Sequence, residues 1–182
     1  MIKKFPEQIP IFPLNGVIYF PKTNLPLNIF EQRYLNLVND AYKKDKLMGM
    51  VQSKKEGESV YKVGCVGKIS DFKQSNDGRI LINLTGISRF KILEEIANNK
   101  LYREFKVDYS EFIEDLEDIQ QEIDARSLMN KAKSFFKKNG LLLNWKEFEK
   151  LDSSQRINTL AMIAPITNEE KQKLLEAVSI KD

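Results

Sequence analysis

The fold is decided by residues 9–34, which read IPIFPLNGVIYFPKTNLPLNIFEQRY. Prolines and one glycine divide this stretch into short apolar runs, a pattern typical of strands joined by turns. Residues 9–14 predict an edge strand or the entry to a strand, because a proline cannot donate to a central hydrogen-bond ladder. Residues 17–20 predict a second strand, and residues 25–30 predict a further extended segment. From residue 31 the apolar spacing becomes helical, which predicts a helix over about 31–44.

Outward from this stretch, the chain divides into two parts of different composition. Seven of the eight glycines lie in residues 1–112, which carry 18 basic and 13 acidic residues. Residues 113–182 carry 11 basic and 13 acidic residues. In the first part, Asn76-Asp77-Gly78 separates two apolar runs and predicts a hairpin. Helical spacing in the second part predicts helices at about 115–138, 154–163 and 168–178.

The predicted fold class is therefore α+β. Residues 1–112 form a small β-barrel with one inserted helix, and residues 113–182 form a helical domain. A chain of 182 residues can bury a sizeable core without a disulfide or a metal. Because 29 basic residues face 26 acidic ones, charge alone does not indicate nucleic acid or an anionic membrane. No run of 18 apolar residues exists, and the start MIKKFPEQIP has no apolar signal core, which predicts a cytoplasmic protein without a membrane span.

Most catalytic constellations are excluded by composition. The sequence has no histidine and one cysteine, Cys65, which excludes a Ser-His-Asp triad, a Cys-His dyad and His- or Cys-clustered zinc. Neither GxxxxGK(S/T) nor GxGxxG occurs. Two serines have neighbouring lysines that could form a Ser-Lys dyad: Ser53 with Lys54 and Lys55, and Ser134 with Lys131, Lys133, Lys137 and Lys138. Neither serine lies in a strained turn or a glycine-rich frame, so a solvated surface is favoured. Cys65 fits core packing better than nucleophilic chemistry. The sequence predicts no enzyme, no metal and no cofactor.

Apolar residues between positions 9 and 30 allow two interpretations. Lys22 is the only charged residue there, so most of the stretch must be core. Either all of it is core, or part of it remains exposed as an apolar patch that binds a partner. The candidate binding residues are Phe12, Tyr19, Phe20, Leu25, Leu27 and Phe30.

The same stretch resembles the N-terminal domain of Lon proteases. In that family, an opening of the form LPLFPL, VLFPG and LPLxIFExRY leads into a helix, and residues 9–14, 17–21 and 25–34 are similar to it. The glycine-containing runs 63–69, 77–79 and 85–92 are similar to the middle of the family pattern. Residues 170–176 resemble its C-terminal helix, so that the resemblance covers about residues 9–177.

This resemblance implies both a fold and a role. The implied fold is a PUA-like β-barrel followed by a helical bundle, in which Arg33 and Tyr34 brace the helix against the barrel. In full Lon proteases, this domain recognises substrate proteins and helps assembly, while other domains hydrolyse ATP and peptide bonds. The expectation is a stand-alone, non-enzymatic module that binds unfolded or degron-like polypeptides. An ATP-dependent protease or a chaperone would be its partner, and an apolar patch is also compatible with a homodimer.

Two other functions stay open at this point. PUA-like barrels occur in RNA-modifying enzymes, and the first part of the chain has a net positive charge, so RNA binding is the alternative hypothesis. It would use Lys43 and Lys44 and would weaken with salt. A stand-alone hydrolase is the third hypothesis, and it lacks a convincing nucleophile and base.

Overall fold

The computed structural model describes residues 5–54, 59–116 and 126–179. Its strands are β1 (Gln8–Leu14), β2 (Asn24–Ile29), β3 (Leu47–Gln52), β4 (Val63–Gln74), β5 (Ile80–Ile96) and β6 (Arg103–Asp108). Its α-helices are α1 (Gln32–Lys43), α2 (Arg126–Lys138), α3 (Trp145–Phe148), α4 (Ser153–Ile163) and α5 (Asn168–Glu176), and a 3₁₀ turn spans Ser110–Asp115. The α+β class is confirmed, with α1 between β2 and β3 and the other described α-helices after β6.

The six strands form one sheet in the order β2-β5-β4-β3-β1-β6. Since β6 also pairs with β5, the pairings run from β5 through β4, β3, β1 and β6 and return to β5. This circuit is possible because β5 is long: its residues 80–85 pair with β2, and its residues 91–96 pair with β6. The circuit is the pairing arrangement that a barrel requires, and the PUA-like likeness stays a prediction.

Strand β1 is not an edge strand, so the first of the two alternatives predicted for residues 9–14 is wrong. It pairs with β6 through residues 8–11 and with β3, in parallel, through residues 11–14. Pro10 lies in the half that pairs only with β6, and Pro13 lies in the half that pairs only with β3. Each proline therefore has one side of the strand without a partner, where the missing N–H costs no ladder bond.

Residues 17–20 were predicted to form a strand, and the structure shows no strand there. Ile18, Tyr19 and Phe20 are buried, but they enter two different clusters. The Tyr19 hydroxyl donates to the carbonyl of Leu84 at 2.7 Å, and a Cβ at Gly86 would lie 2.4 Å from the carbonyl oxygen of Phe20. Residues 17–20 thus cross β5 at close range. Their side chains are buried in a different cluster on each side, which explains why the run is apolar.

Helix α1 agrees with the predicted helix over 31–44. Tyr34, Leu37, Val38 and Ala41 are buried, at the spacing of one helix face. They join residues of the sheet in the main core, whose largest fully buried members include Tyr19, Met48, Ile69, Ile80 and Leu84. A second cluster around Phe90 contains Ile9, Ile11, Phe105 and Val107.

The helical part also follows the prediction closely at α4 and α5. Each of these helices begins with a capping box, from Asp152 and Gln155 in α4 and from Thr167 and Glu170 in α5. The predicted helix at 115–138 is observed only as α2, and residues 117–125 lie outside the described ranges. Among the described helices, none has the length and apolar character needed to cross a bilayer. The domain boundary at residues 112/113 and the bundle arrangement stay predictions.

Candidate functional site

A cleft of about 540 Å³ lies between the sheet and helices α2, α4 and α5. The first part of the chain contributes Phe20, whose ring is only 3% exposed, and Arg89 to its lining. Three large apolar side chains in its lining remain open to solvent: Leu128 is 46% exposed, Phe135 is 40% exposed and Leu174 is 45% exposed. Concave, mainly apolar surfaces with exposed side chains of this size are typical of binding sites.

Helix α2 provides one wall because it carries two apolar stripes. Met129 and Phe136, one heptad apart, are buried against α3 and α4. The neighbouring stripe, Leu128 and Phe135, has the same spacing and lines the cleft. A helix packed on one partner needs only the first stripe, so the second is an apolar face without a partner among the described residues.

The wall is held in place by contacts between α2 and α3. The ring centroids of Phe136 and Trp145 are 5.8 Å apart in an edge-to-face arrangement. Lys133 Nζ donates to Glu149 Oε1 at 2.8 Å and lies 5.6 Å from the centroid of the Trp145 ring. These contacts fix the direction in which Leu128 and Phe135 point.

A buried ion pair lies at one end of the cleft. Arg89 Nε and Nη2 donate to the two carboxylate oxygens of Asp115, each at 2.9 Å, and the Arg89 backbone N–H also donates to Asp115 at 2.9 Å. Arg89 Nη1 donates to the carbonyls of Leu175 and Ala177, at the C-terminal end of α5. Because its guanidinium donates both to Asp115 and to these carbonyls, Arg89 is a positioning residue that joins α5 to the sheet.

Helix α5 has two further anchors. Gln172 Nε2 donates to the carbonyl of Val63 at 3.1 Å, at the start of β4. Lys171 Nζ donates to the carbonyl of Met162 at 2.6 Å, in α4, and burial lowers the pKa of Lys171. Together with Arg89, they fix the wall that carries Leu174.

Three of the sequence-predicted binding residues are buried. Phe12 is 7% exposed, with its ring centroid 3.9 Å from that of Tyr34. Tyr19 is 2% exposed and Phe20 is 3% exposed. The expectation that these three lie on an exposed patch is therefore wrong, because they fill the space between the sheet and its covering helices. Of the three, only Phe20 reaches the cleft.

The other three candidates lie elsewhere. Leu25 and Leu27, on β2, are half-buried against the main core, and Phe30 is 67% exposed just before α1. The structure thus does not bring the six predicted residues together. Leu128, Phe135 and Leu174 were not among the predicted surface residues, although the second apolar stripe of α2 is a signal that the sequence contains.

The residues considered for catalysis, and the lysines considered for RNA binding, are distributed over the structure. Cys65 is fully buried in the main core, and burial raises the pKa of its thiol. Lys54 Nζ lies 5.3 Å from the centroid of the Tyr61 ring, and Ser134 is exposed on α2. Lys43 and Lys44 are exposed at the end of α1.

We expect Cys65 to be unreactive in the native protein. Its thiol is 0% exposed, and its raised pKa lowers the fraction of thiolate, which is the reactive form. With a chromogenic disulfide reagent, the folded chain should react on the timescale of unfolding, and the same chain in concentrated urea should react at once. Because Cys65 is the only cysteine, the signal is unambiguous. Fast reaction in native buffer would contradict the burial.

Comparisons with known proteins concern both sequence and fold. The profile of the family described as the ATP-dependent protease La (LON) substrate-binding domain matches residues 8–182. A Lon protease from Syntrophus aciditrophicus is 32% identical over 99% of this chain, and one from Dictyoglomus thermophilum is 25% identical over 97% of it. These alignments cover 24% and 23% of the two relatives, so the chain spans about a quarter of their length.

Solved structures give the same fold. The Lon N-terminal domain protein from Xanthomonas campestris aligns with a TM-score of 0.70 and 22% identity, covering 94% of this chain and 91% of that one. The N-terminal domain of the Mycobacterium avium complex Lon protease aligns with a TM-score of 0.66 and 14% identity, covering 96% and 92%. The family predicted from the opening motif and the glycine-containing runs is thereby confirmed. The chain belongs to the LON substrate-binding domain family.

Proposed function

We propose that this chain binds polypeptide segments that expose large apolar side chains, and that the cleft between the sheet and α2, α4 and α5 holds them. The observation that carries the proposal is the set of solvent-open side chains Leu128, Phe135 and Leu174 around the buried ring of Phe20. Docking would remove apolar surface from water, which contributes about 25 cal/mol per Å² before the cost of ordering the segment. Unfolded or degron-bearing chains offer such segments, whereas a folded protein buries them.

The module itself would break no bond. The match is to the substrate-binding domain, and its relatives are Lon proteases four times as long, so ATP hydrolysis and proteolysis would come from other domains or from a partner protease or chaperone. We propose that the module acts in the cytoplasm.

The affinity for a polypeptide segment should be modest, because one cleft of this size buries less surface than a stable protein–protein interface. A homodimer would compete for the same apolar side chains.

The test is a fluorescence titration of a labelled, permanently unfolded protein, with the oligomeric state of the chain measured in parallel. Phe135→Ser and Leu174→Ser should each weaken binding about fivefold, since each removes part of the apolar contact. Leu142→Ser is the matched control, because Leu142 is fully exposed and does not line the cleft. Its affinity should equal that of the unmodified chain.

The same titration distinguishes binding at the cleft from binding at the residues that were predicted from the sequence. Phe30→Ser tests the surface near β2, where Phe30 is 67% exposed. If Phe30→Ser weakens binding and the cleft variants do not, the proposed location is wrong and the surface near β2 is the site. If the unmodified chain fails to bind the unfolded protein, the proposed function is wrong.

A further inference from the structure

Helix α2 concentrates positive charge beside the cleft. Its sequence, RSLMNKAKSFFKK, contains five basic residues and no acidic one, although the whole chain is nearly balanced at 29 basic and 26 acidic residues. Lys131 lines the cleft. It follows Leu128 by three positions and precedes Phe135 by four, so it lies on the same side of the helix as both.

The charge of Lys131 is not neutralised within the described part of the chain. Lys133 pairs with Glu149, whereas Lys131, Lys137 and Lys138 form no ion pair with any described residue. The cleft lining contains one described carboxylate, Asp115, and both of its oxygens accept hydrogen bonds from Arg89. The other polar residues of the lining, Asn158 and Ser179, are uncharged. Within the described residues, an occupant would therefore meet apolar side chains and a cation that no carboxylate pairs with.

We propose that the cleft prefers segments in which a large apolar residue is flanked by acidic residues, a selectivity that rests on the proposed function. The apolar side chain occupies the space over Phe20, between Leu128, Phe135 and Leu174. A neighbouring carboxylate pairs with Lys131 at the rim. An exposed pair of this kind contributes little affinity but distinguishes between partners, because a cationic segment would meet repulsion at the same place.

The experiment compares three peptides of equal length with the same central Phe-Leu pair. Their flanking residues are Asp and Glu, Asn and Gln, or Lys and Arg. The acidic peptide should bind about two- to fivefold more tightly than the neutral one, and the basic peptide should bind most weakly. Rising sodium chloride should reduce these differences, because the rim charge is solvent-exposed.

Variants of the chain then assign the preference to Lys131. Lys131→Gln should bring the affinity for the acidic peptide down to that for the neutral peptide, and leave the neutral peptide unaffected. Lys146→Gln makes the same charge change on α3, outside the cleft lining, and should retain the full preference.

The outcomes separate this inference from the proposed function. Equal affinities for the three peptides, or a preference that survives Lys131→Gln, would overturn the acidic selectivity and leave polypeptide binding in place. Failure of all three peptides to bind would instead reject the proposed function. If an acidic peptide without the Phe-Leu pair, or an RNA of similar charge, bound as tightly as the acidic peptide, the site would be a general polyanion site, and the inference would be wrong.

Discussion

Asp115→Ala should lower the free energy of unfolding by about 3–5 kcal/mol, because it leaves a buried guanidinium without its counter-charge. The Arg89 and Asp115 side chains are only 9% and 11% exposed, and three donors of Arg89 converge on one carboxylate. Urea denaturation, followed by circular dichroism, measures the loss as a lower midpoint at an unchanged slope.

Two further variants identify the cause of that loss. Arg79 and Asp77 form an ion pair with side chains 51% and 50% exposed, so Asp77→Ala should leave the midpoint almost unchanged. The double variant Arg89→Met with Asp115→Leu should recover part of the stability, because apolar side chains need no counter-charge but no longer donate to the carbonyls of Leu175 and Ala177. If Asp115→Ala shifted the midpoint no more than Asp77→Ala, the buried pair would not support the fold.

Phe20→Ala should also destabilise the protein by about 3–5 kcal/mol, the usual cost of deleting a buried phenylalanine ring. Phe20 packs in a cluster with Ile18, Val63, Phe112 and Leu175, which joins the sheet to α5. The resulting cavity would open beneath the cleft, so the variant should lose stability and peptide binding together. Thermal and urea unfolding provide the measurement.

Phe30→Ala is the matched control for that prediction. Phe30 is 67% exposed, so its removal should change the free energy of unfolding by less than about 0.5 kcal/mol. A Phe20→Ala protein that unfolded at the normal midpoint but failed to bind would restore the interpretation of Phe20 as a surface residue.

The parts of the fold that local sequence determines were predictable. Helix α1 was predicted from the spacing of Tyr34, Leu35, Val38 and Tyr42, of which Tyr34 and Val38 are buried. The hairpin was predicted from Asn76-Asp77-Gly78, where Gly78 has a φ of +87°. Residues 17–20 were predicted as a strand because they form a short apolar run. A run of this composition can pair with a neighbouring strand, or it can be buried on both sides without pairing, and the sequence does not distinguish the two. The two neighbours of β1 could not be predicted either. Its prolines indicate that a neighbouring strand is missing on one side, but they do not show which side.

The cleft was not predictable from local patterns, because its parts are distant in sequence. Phe20 and Phe135 are separated by more than half of the chain, and only the tertiary fold places both on one cavity. Phe12, Tyr19 and Phe20 were predicted as binding residues because residues 9–30 are rich in apolar side chains. These three side chains are buried, so the high apolar content of the stretch reflects their role in the core. The second stripe of α2 was visible in the sequence, but its exposure depends on where α4 and α5 lie.

The grip of Arg89 on the end of α5 has a mechanical consequence. A pulling force applied beyond residue 177 reaches the carbonyls of Leu175 and Ala177, and the guanidinium passes it to β5. That strand is hydrogen-bonded to β2, β4 and β6, so we expect the load to be shared with three further strands. A force at this end of α5 would thus be resisted by the sheet as well as by the helix.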